Sequence, residues 1–240
     1  MELPGYVALT RQGGLMREMQ VIANNLANIS TTGYRTENLV FSEMVTAVPA
    51  EGDSVAMTAA RTRFTDARQG ALDRTSAPLD LAIEGEGFFQ VETPLGPRLT
   101  RAGAFLMDAA GQVVTPQGER LLDAGGAPIQ LPPSATDIAV AADGTVSVDG
   151  VLSAQIGVVV PEDGAVLTRE DGVRFATDAA LLPAPDGQIV QGHLEASNVS
   201  PVAEIARMIA VQRAYEYGQA FLDAEDSRLR EATRTLIQPR

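Results

Sequence analysis

The stretch that decides the fold lies early in the chain, where residues 15–29 read LMREMQVIANNLANI. Its apolar side chains recur at alternating intervals of four and three, and they are Leu15, Met19, Ile22, Leu26 and Ile29. This heptad spacing is typical of a helix that packs along one seam. Because no proline occurs from Val7 to Ile29, the pattern predicts a helix of about 23 residues, about 35 Å long. The alternative is an ordinary amphipathic helix that packs on its own domain.

The same stretch predicts where the helix ends and which polar residues share one of its faces. Gly33 follows the last apolar residue, and we interpret it as a helix terminator rather than a contact residue, because glycine readily takes the left-handed turn that ends helices. Asn24 and Asn28 are four residues apart and are expected on one helix face. Their amides either bond to neighbouring chains and fix the register or form a solvated polar face, and the sequence leaves both readings open.

The carboxyl-terminal part of the chain has a similar pattern. Ser200-Pro201 favours a helix start, since a capping hydroxyl precedes a proline at the first helical position. Residues at intervals of three and four, or their multiples, form one apolar seam along this segment, and they are Met208, Val211, Tyr215, Leu222, Leu229, Ala232 and Leu236. Near the start of the segment, the apolar surface is made wider by Val202, Ile205 and Ile209. A periodic pattern this long favours packing against a partner helix.

Between the two helices the pattern changes to short runs of apolar and β-branched residues. Asp143-Gly144 and Asp149-Gly150 separate such runs, and an Asp-Gly pair in this setting is a strong hairpin signal. We therefore predict an α+β fold, in which long N- and C-terminal helices pair as a coiled-coil-like layer beside a central antiparallel β domain. The predicted segments are residues 1–36 (helix), 37–77 (transitional, without a structural prediction), 78–195 (β domain) and 196–240 (helix).

Composition excludes several kinds of chemistry. The chain has 240 residues, no cysteine, one histidine and a net charge of -13, and all 18 basic residues are arginine. Lysine-dependent phosphate loops, Schiff bases, thiol nucleophiles and cysteine metal cages are therefore excluded. The negative charge disfavours nucleic acid as a partner. Since the start of the chain lacks a secretory signal pattern and no apolar run spans a bilayer, we expect no membrane insertion.

The residues that could support an enzyme or a ligand site have simpler interpretations. A serine hydrolase would have to use His193 as its base, and this histidine lies where the β domain returns to the last helix. Gly85-x-Gly87 lacks the third glycine of a dinucleotide site, and Asp143 and Asp149 lack the other carboxylates of a calcium loop. We therefore predict a protein that is not an enzyme and that has no cofactor.

Four blocks of the sequence resemble a known family. Residues 23–35 (ANNLANISTTGYR) look like the amino-terminal signature of flagellar rod and hook proteins, and residues 75–89 (TSAPLDLAIEGEGFF) resemble the start of their β domain. Residues 100–105 (TRAGAF) fit the next part of that domain. Ser197-Asn198-Val199, followed by residues 213–216 (RAYE), is similar to the carboxyl-terminal signature. The blocks occur in the family's order across nearly the whole chain.

The resemblance implies a structural subunit of the bacterial flagellar basal-body rod, which assembles with itself and carries motor torque to the hook. Length and the run Ser197 to Val202 favour a proximal-rod subunit, with a distal-rod subunit as the alternative. Its partners would be copies of itself, other rod subunits and the flagellar type III export apparatus, and it would lie in the periplasm after export without a cleaved signal. A secreted β module that binds a surface ligand is the alternative from another class, which the scarcity of aromatic residues disfavours.

The family's terminal helices form the inner core of a helical tube, which implies an assembly interface on both helices. The predicted interface residues are Leu15, Met19, Ile22, Asn24, Asn25, Leu26, Asn28, Ile29, Asn198, Ile205, Met208, Ile209, Val211, Tyr215 and Leu222. From the strand pattern, we also expect residues 78–194 to fold without the rest of the chain.

Overall fold

The computed structural model describes residues 3–47 and 54–237, with side-chain surroundings for residues 8–40, 63–231 and 233–235. The chain divides into two compact units. The helical unit comprises Met1–Ala27, Thr36–Asp66 and Ser200–Arg240, and the β unit comprises Asn28–Arg35 and Ala67–Val199. The chain therefore passes between the units four times.

The helical unit consists of two helices and a β-hairpin. Helix α1 spans Leu3–Ala27 and helix α2 spans Pro201–Ile237, so α2 begins at the predicted proline. Strands β1 (Glu37–Ala47) and β2 (Ser54–Thr65) pair in antiparallel fashion and fill much of the segment for which the sequence made no prediction. Helix α1 packs against α2 and also against both strands of this hairpin.

The predicted α+β fold with a coiled-coil-like pair of terminal helices is wrong. The described residues form eighteen strands and two helices, so the protein is mainly β. Because α1 shares its surface between α2 and the hairpin, its apolar residues do not form one seam against a single helix. Gly218 interrupts the seam of α2, and a Cβ atom there would lie 2.8 Å from Nε2 of Gln12. A polar side chain thus lies where knobs-into-holes packing needs an apolar one.

The interpretation of Gly33 as a helix terminator is also wrong. Helix α1 ends at Ala27, six positions earlier, and the backbone turns at residues 28–30. Gly33 has φ +70°, and a Cβ atom there would lie 2.3 Å from the backbone nitrogen of Ala102. Glycine is required here because two segments of the β unit approach each other closely.

The β unit contains sixteen short strands, all in antiparallel pairs. The strands are β3 (Leu72–Arg74), β4 (Leu81–Glu84), β5 (Phe88–Thr93), β6 (Gly96–Thr100), β7 (Leu106–Met107), β8 (Val113–Val114), β9 (Arg120–Leu121), β10 (Ile138–Val140), β11 (Thr145–Val148), β12 (Val151–Gln155), β13 (Val158–Pro161), β14 (Thr168–Asp171), β15 (Arg174–Ala176), β16 (Leu181–Pro183), β17 (Gln188–Gln191) and β18 (His193–Glu195). A nine-stranded sheet centred on β5 and β6 is the largest. Smaller sheets are β10-β11-β12, β17-β4 and β18-β3.

An apolar core holds the β unit together. Phe89 and Phe105 meet edge to face at its centre, with ring centroids 5.4 Å apart, and both are almost fully buried. A smaller cluster forms around Leu99, Val159 and Phe175. The predicted turn at Asp149-Gly150 joins β11 to β12, and both residues have positive φ angles, as a two-residue hairpin turn of this type needs.

Candidate assembly interface

An exposed apolar stripe runs along the first turns of α2. Val202, Ile205 and Ile209 are spaced by three and four residues and keep 79%, 48% and 46% of their surface exposed. We call these three residues the α2 stripe. The residues further along the same helix that are also exposed and apolar are Tyr217, Phe221 and Leu229. Apolar residues that share one exposed face of a helix are typical of a surface that binds another protein.

The predicted interface residues are divided between the two units. In the helical unit, the buried ones are Ile22, Asn25 and Val211, the half-buried ones are Leu15, Met19, Leu26, Met208, Tyr215 and Leu222, and the exposed ones are Asn24, Ile205 and Ile209. Asn28, Ile29 and Asn198 lie in the β unit, where all three are half-buried. Among the fifteen residues, Ile22, Asn25 and Val211 are therefore buried within the chain, and Ile205 and Ile209 are the apolar ones that stay exposed.

Asn25 joins three elements of the helical unit. Its Nδ2 group donates to the backbone oxygen of Glu37 at 2.9 Å and to Oε2 of Glu204 at 3.4 Å. Its Oδ1 atom accepts from the backbone N–H of Glu37 at 3.0 Å. The side chain is fully buried. Asn25 thus connects α1 to the start of β1 and to the first turn of α2, and its amide is used within the chain.

Asn24 and Asn28 do not share a helix face, contrary to the expectation from their spacing. Helix α1 ends at Ala27, so Asn28 lies beyond it. The Oδ1 atom of Asn28 accepts from the hydroxyl of Thr31 at 3.0 Å, and its backbone oxygen accepts from the Thr31 N–H at 3.1 Å. Asn28 therefore shapes the turn after the helix, whereas Asn24 lies on an exposed part of α1.

Polar side chains make several contacts between the two helices, which sequence reasoning missed. Arg207 donates from Nε to Oε1 of Glu18 in α1 at 2.9 Å, and its NH1 group also donates to Oδ1 of Asn38 in strand β1 at 3.0 Å. Gln12 donates from Nε2 to the backbone oxygen of Tyr215 at 3.3 Å. These pairs show that the helices run antiparallel. Gly218, in the middle of the α2 seam, is the sequence feature that could have indicated these contacts, because a position without a side chain admits a close neighbour.

His193 lies in the β unit at the start of β18 and is half-buried. Its Nδ1 atom lies 2.9 Å from the backbone oxygen of Gln191, so this ring nitrogen is held by the main chain. Within residues 3–47 and 54–237, no cluster of histidine and carboxylate side chains has the grouping that a metal ion needs. In the same ranges, neither helix has a stretch long and apolar enough to cross a membrane.

Comparison with known families gives three matches along the chain. Residues 6–35 match the family of flagella basal body rod proteins, and residues 82–148 match the D1 domain of the flagellar hook proteins FlgE, FlgF and FlgG. Residues 190–235 match the carboxyl-terminal region of the flagellar basal body rod proteins FlgE, FlgF and FlgG. The first and last matches cover most of α1 and α2, and the middle match covers a part of the β unit.

Individual relatives agree with these matches. The chain is 39% identical to the flagellar basal-body rod protein FlgF of Caulobacter vibrioides over 91% of both chains. It is 35% identical to FlgF of Rhizobium meliloti over 96% of both chains. It is also 30% identical to the flagellar basal-body rod protein FlgG of Bacillus subtilis over 94% of this chain and 96% of the relative. The chain therefore belongs to the family of flagellar basal-body rod proteins, and within it is more similar to these FlgF proteins than to that FlgG protein.

Proposed function

We propose that this chain is a structural subunit of the proximal part of the flagellar basal-body rod, the shaft that transmits motor torque to the hook. The α2 stripe is the observation that carries the proposal. It is an apolar surface on a helix that lies inside the carboxyl-terminal match to rod proteins. A subunit that works by packing needs such a surface, whereas an isolated soluble domain would have no use for it.

Assembly into a shaft requires contacts between subunits that do not close into a ring. Copies grow into a helical tube when each subunit offers two different surfaces that complement each other. The α2 stripe supplies one apolar surface, and the second would lie on a neighbouring copy or on another rod subunit. The long helices suit the role, because their hydrogen bonds run along the helix axis and resist extension and compression.

The proximal position is supported by the relatives. The FlgF proteins of Caulobacter vibrioides and Rhizobium meliloti reach 39% and 35% identity over at least 91% of their length, and the FlgG protein of Bacillus subtilis reaches 30%. A distal-rod subunit is the second candidate. As a rod subunit, the chain would reach the periplasm through the flagellar type III export apparatus without a cleaved signal, and its partners would be copies of itself and other rod subunits. It would act without catalysis.

A pair of charge substitutions tests the proposal in a strain that lacks this gene. Ile205→Glu places a charge in the α2 stripe, and we expect it to abolish swimming and the recovery of intact basal bodies while the subunit is still exported. Leu95→Glu adds the same charge at an exposed apolar residue of the β5–β6 turn and serves as the matched control. Normal assembly with Ile205→Glu, or equal loss with both variants, would contradict the assignment of the α2 stripe.

A further inference from the structure

Three charged side chains form a buried cluster in the β unit. Glu195 is 1% exposed, and Arg35 and Arg101 are each 4% exposed. The NH2 group of Arg35 lies 2.7 Å from Oε1 of Glu195, and the NH1 group of Arg101 lies 3.3 Å from Oε2. We call these three residues the junction triad. One carboxylate thus faces two guanidinium groups, so the triad carries one net positive charge away from water.

Other donors of the two arginines bind main-chain oxygens. Arg35 donates from NH1 to the backbone oxygens of Ala67 and Arg68. Arg101 donates from NH1 to the oxygen of Ile83 at 3.1 Å and from NH2 to the oxygen of Gly85 at 2.6 Å. The backbone N–H of Gly70 donates to Oε1 of Glu195 at 3.1 Å. The triad therefore joins five separate segments of the β unit.

Burial shifts the pKa of Arg101, one member of the junction triad. Loss of solvation, together with the neighbouring Arg35, lowers the pKa of the Arg101 guanidinium to about 10, although the Glu195 carboxylate opposes the shift. Burial thus disfavours the charged form of Arg101, and Glu195 is the carboxylate in direct contact that favours it. Removal of the Glu195 charge would leave two buried cations next to each other.

The backbone around the triad is packed closely. The N–H of Gly33 donates to the backbone oxygen of Glu195 at 2.7 Å, and a Cβ atom on Gly70 would lie 1.9 Å from the oxygen of Ala196. Asn198 donates from Nδ2 to the oxygen of Arg68 at 2.8 Å and from its backbone N–H to the oxygen of Tyr34 at 3.3 Å. Residues 33–35, 67–70 and 195–198 are therefore bound to one another directly.

Aromatic contacts hold the first of these segments from the other side. Tyr34 is buried, and the guanidinium carbon of Arg169 lies 4.5 Å from the centre of its ring. The same carbon lies 4.8 Å from the ring centre of Phe175, within the nine-stranded sheet. A cation placed over an aromatic ring is attracted to it. Residues 33–35 are thus fixed to the large sheet as well as to the triad.

These segments are the ones by which the chain enters and leaves the β unit. The chain passes between the units after Ala27, Arg35, Asp66 and Val199. The chain leaves the β unit after Arg35 and enters it again at Ala67. It leaves for the last time after Val199, the residue that follows Asn198. The remaining crossing leads into residues 28–35, which carry Gly33 and Tyr34. Three crossings therefore lie at or next to a residue that the triad or its partners bind, and the first leads into the segment that carries Gly33 and Tyr34.

We propose that the junction triad is a clamp that fixes the four chain crossings to one point of the β unit, with Glu195 as its central positioning residue. A buried ion pair adds little net stability compared with apolar packing of the same volume, so its value lies in holding a particular arrangement. The clamp makes the four crossings act together, so that force carried by the chain reaches the large sheet through all of them at once. Only this mechanical consequence rests on the proposed function.

Hydrogen exchange on the purified full chain tests the clamp. In Glu195→Gln we expect the amides of Gly33, Gly70 and Asn198 to exchange at least tenfold faster, because their segments open locally. The amide of Leu122, which donates to the oxygen of Gln90 at 2.9 Å in the core, should change by a much smaller factor, because the core opens less readily than the junction segments. An equal increase at all four amides would show only a general loss of stability, and unchanged exchange at all four would show no clamp; either result would overturn the proposal.

Two further variants control for charge and for folding. Glu170→Gln removes the carboxylate of an ion pair with Arg98 on the surface of the same unit, and we expect no change in exchange at the three junction amides. Arg35→Lys keeps the charge, but its three donors lie on one nitrogen, which cannot take the positions of both NH1 and NH2. It should increase exchange at Gly70 by a smaller factor than Glu195→Gln. An effect of Glu170→Gln equal to that of Glu195→Gln would contradict the clamp.

Swimming in media of rising viscosity tests the mechanical part. Cells with Glu195→Gln should assemble rods and swim at low viscosity but lose speed earlier than wild type as viscosity rises. Wild-type speed at every viscosity, together with local opening in hydrogen exchange, would overturn the mechanical role and leave the proposed function intact. Failure of the wild-type gene itself to restore swimming would instead contradict the proposed function.

Discussion

The helical unit and the β unit are held together by different kinds of interaction. The β unit encloses an apolar core around Phe89 and Phe105 and uses its buried charges to join backbone segments. The helical unit relies on polar contacts such as those of Asn25 and Arg207, and it leaves the α2 stripe exposed. The β unit thus has a closed apolar core, with exposed apolar residues such as Leu95 in its turns, whereas the helical unit carries a row of exposed apolar residues along one helix. This difference is what a subunit of a larger assembly requires.

The largest expected effect concerns which residues the β unit needs in order to fold. The strand pattern led us to expect that residues 78–194 fold alone. We now expect that they do not, because the β unit also contains Tyr34, Arg35, strand β3 and Glu195. A fragment of residues 78–194 would leave Arg101 buried without its carboxylate partner, which is strongly unfavourable. We expect this fragment to melt without cooperativity and a fragment of residues 28–199 to melt cooperatively, as measured by circular dichroism. Cooperative melting of the shorter fragment would contradict the boundaries of the unit.

The next prediction compares one phenylalanine from each unit. Phe89→Ala should lower the free energy of unfolding by about 3–5 kcal/mol, because it opens a cavity in a closed core. Phe221→Ala in α2 should lower it by less than about 1 kcal/mol in the purified chain, since that side chain is largely exposed already. Urea unfolding followed by fluorescence or circular dichroism measures both values. Equal losses would remove the contrast between the units.

A smaller effect is expected at the polar contacts of the helical unit. Asn25→Ala removes three hydrogen bonds and leaves the backbone groups of Glu37 without their side-chain partner, so we expect a loss of about 1–3 kcal/mol. Asn24→Ala, one residue earlier and exposed, should cost about 0.5 kcal/mol or less. Thermal or urea unfolding of the two variants side by side provides the comparison. A larger loss with Asn24→Ala would mean that the buried amide is not a key contact of this unit.

The smallest effect is expected at the single histidine. His193→Ala removes a half-buried side chain that contacts a backbone oxygen, so stability should change by about 0.5 kcal/mol. Rod assembly and swimming should remain normal, because packing does not depend on an imidazole. Swimming assays of this variant beside the wild type measure the effect. An immotile but folded variant would reopen a catalytic interpretation.

Local patterns in the sequence predicted the local elements well. The Ser200-Pro201 pair placed the start of α2 correctly, and Asp149-Gly150 placed the turn between β11 and β12. Both features are set by residues next to one another, whose backbone preferences act without help from the rest of the chain. The start of α1 was predicted four residues late, at Val7 instead of Leu3.

Contacts between distant segments could not be predicted in the same way. The heptad spacing gave no sign that the β1–β2 hairpin would share the surface of α1 with α2. Glu195 meets Arg35 and Arg101 across more than ninety residues, and no spacing rule relates such positions. The family signature includes Asn25, but its partners Glu37 and Glu204 became visible only in the fold.

Thiol labelling tests the central claim, that the α2 stripe is covered on assembly. The chain has no cysteine, so an Ile205→Cys variant offers one reactive site at a position that is 48% exposed in the single chain. We predict rapid reaction with a water-soluble maleimide in the purified subunit and at least tenfold slower reaction in isolated basal bodies. Equal reaction rates in the subunit and in basal bodies would show that the stripe stays open to solvent and would contradict the account.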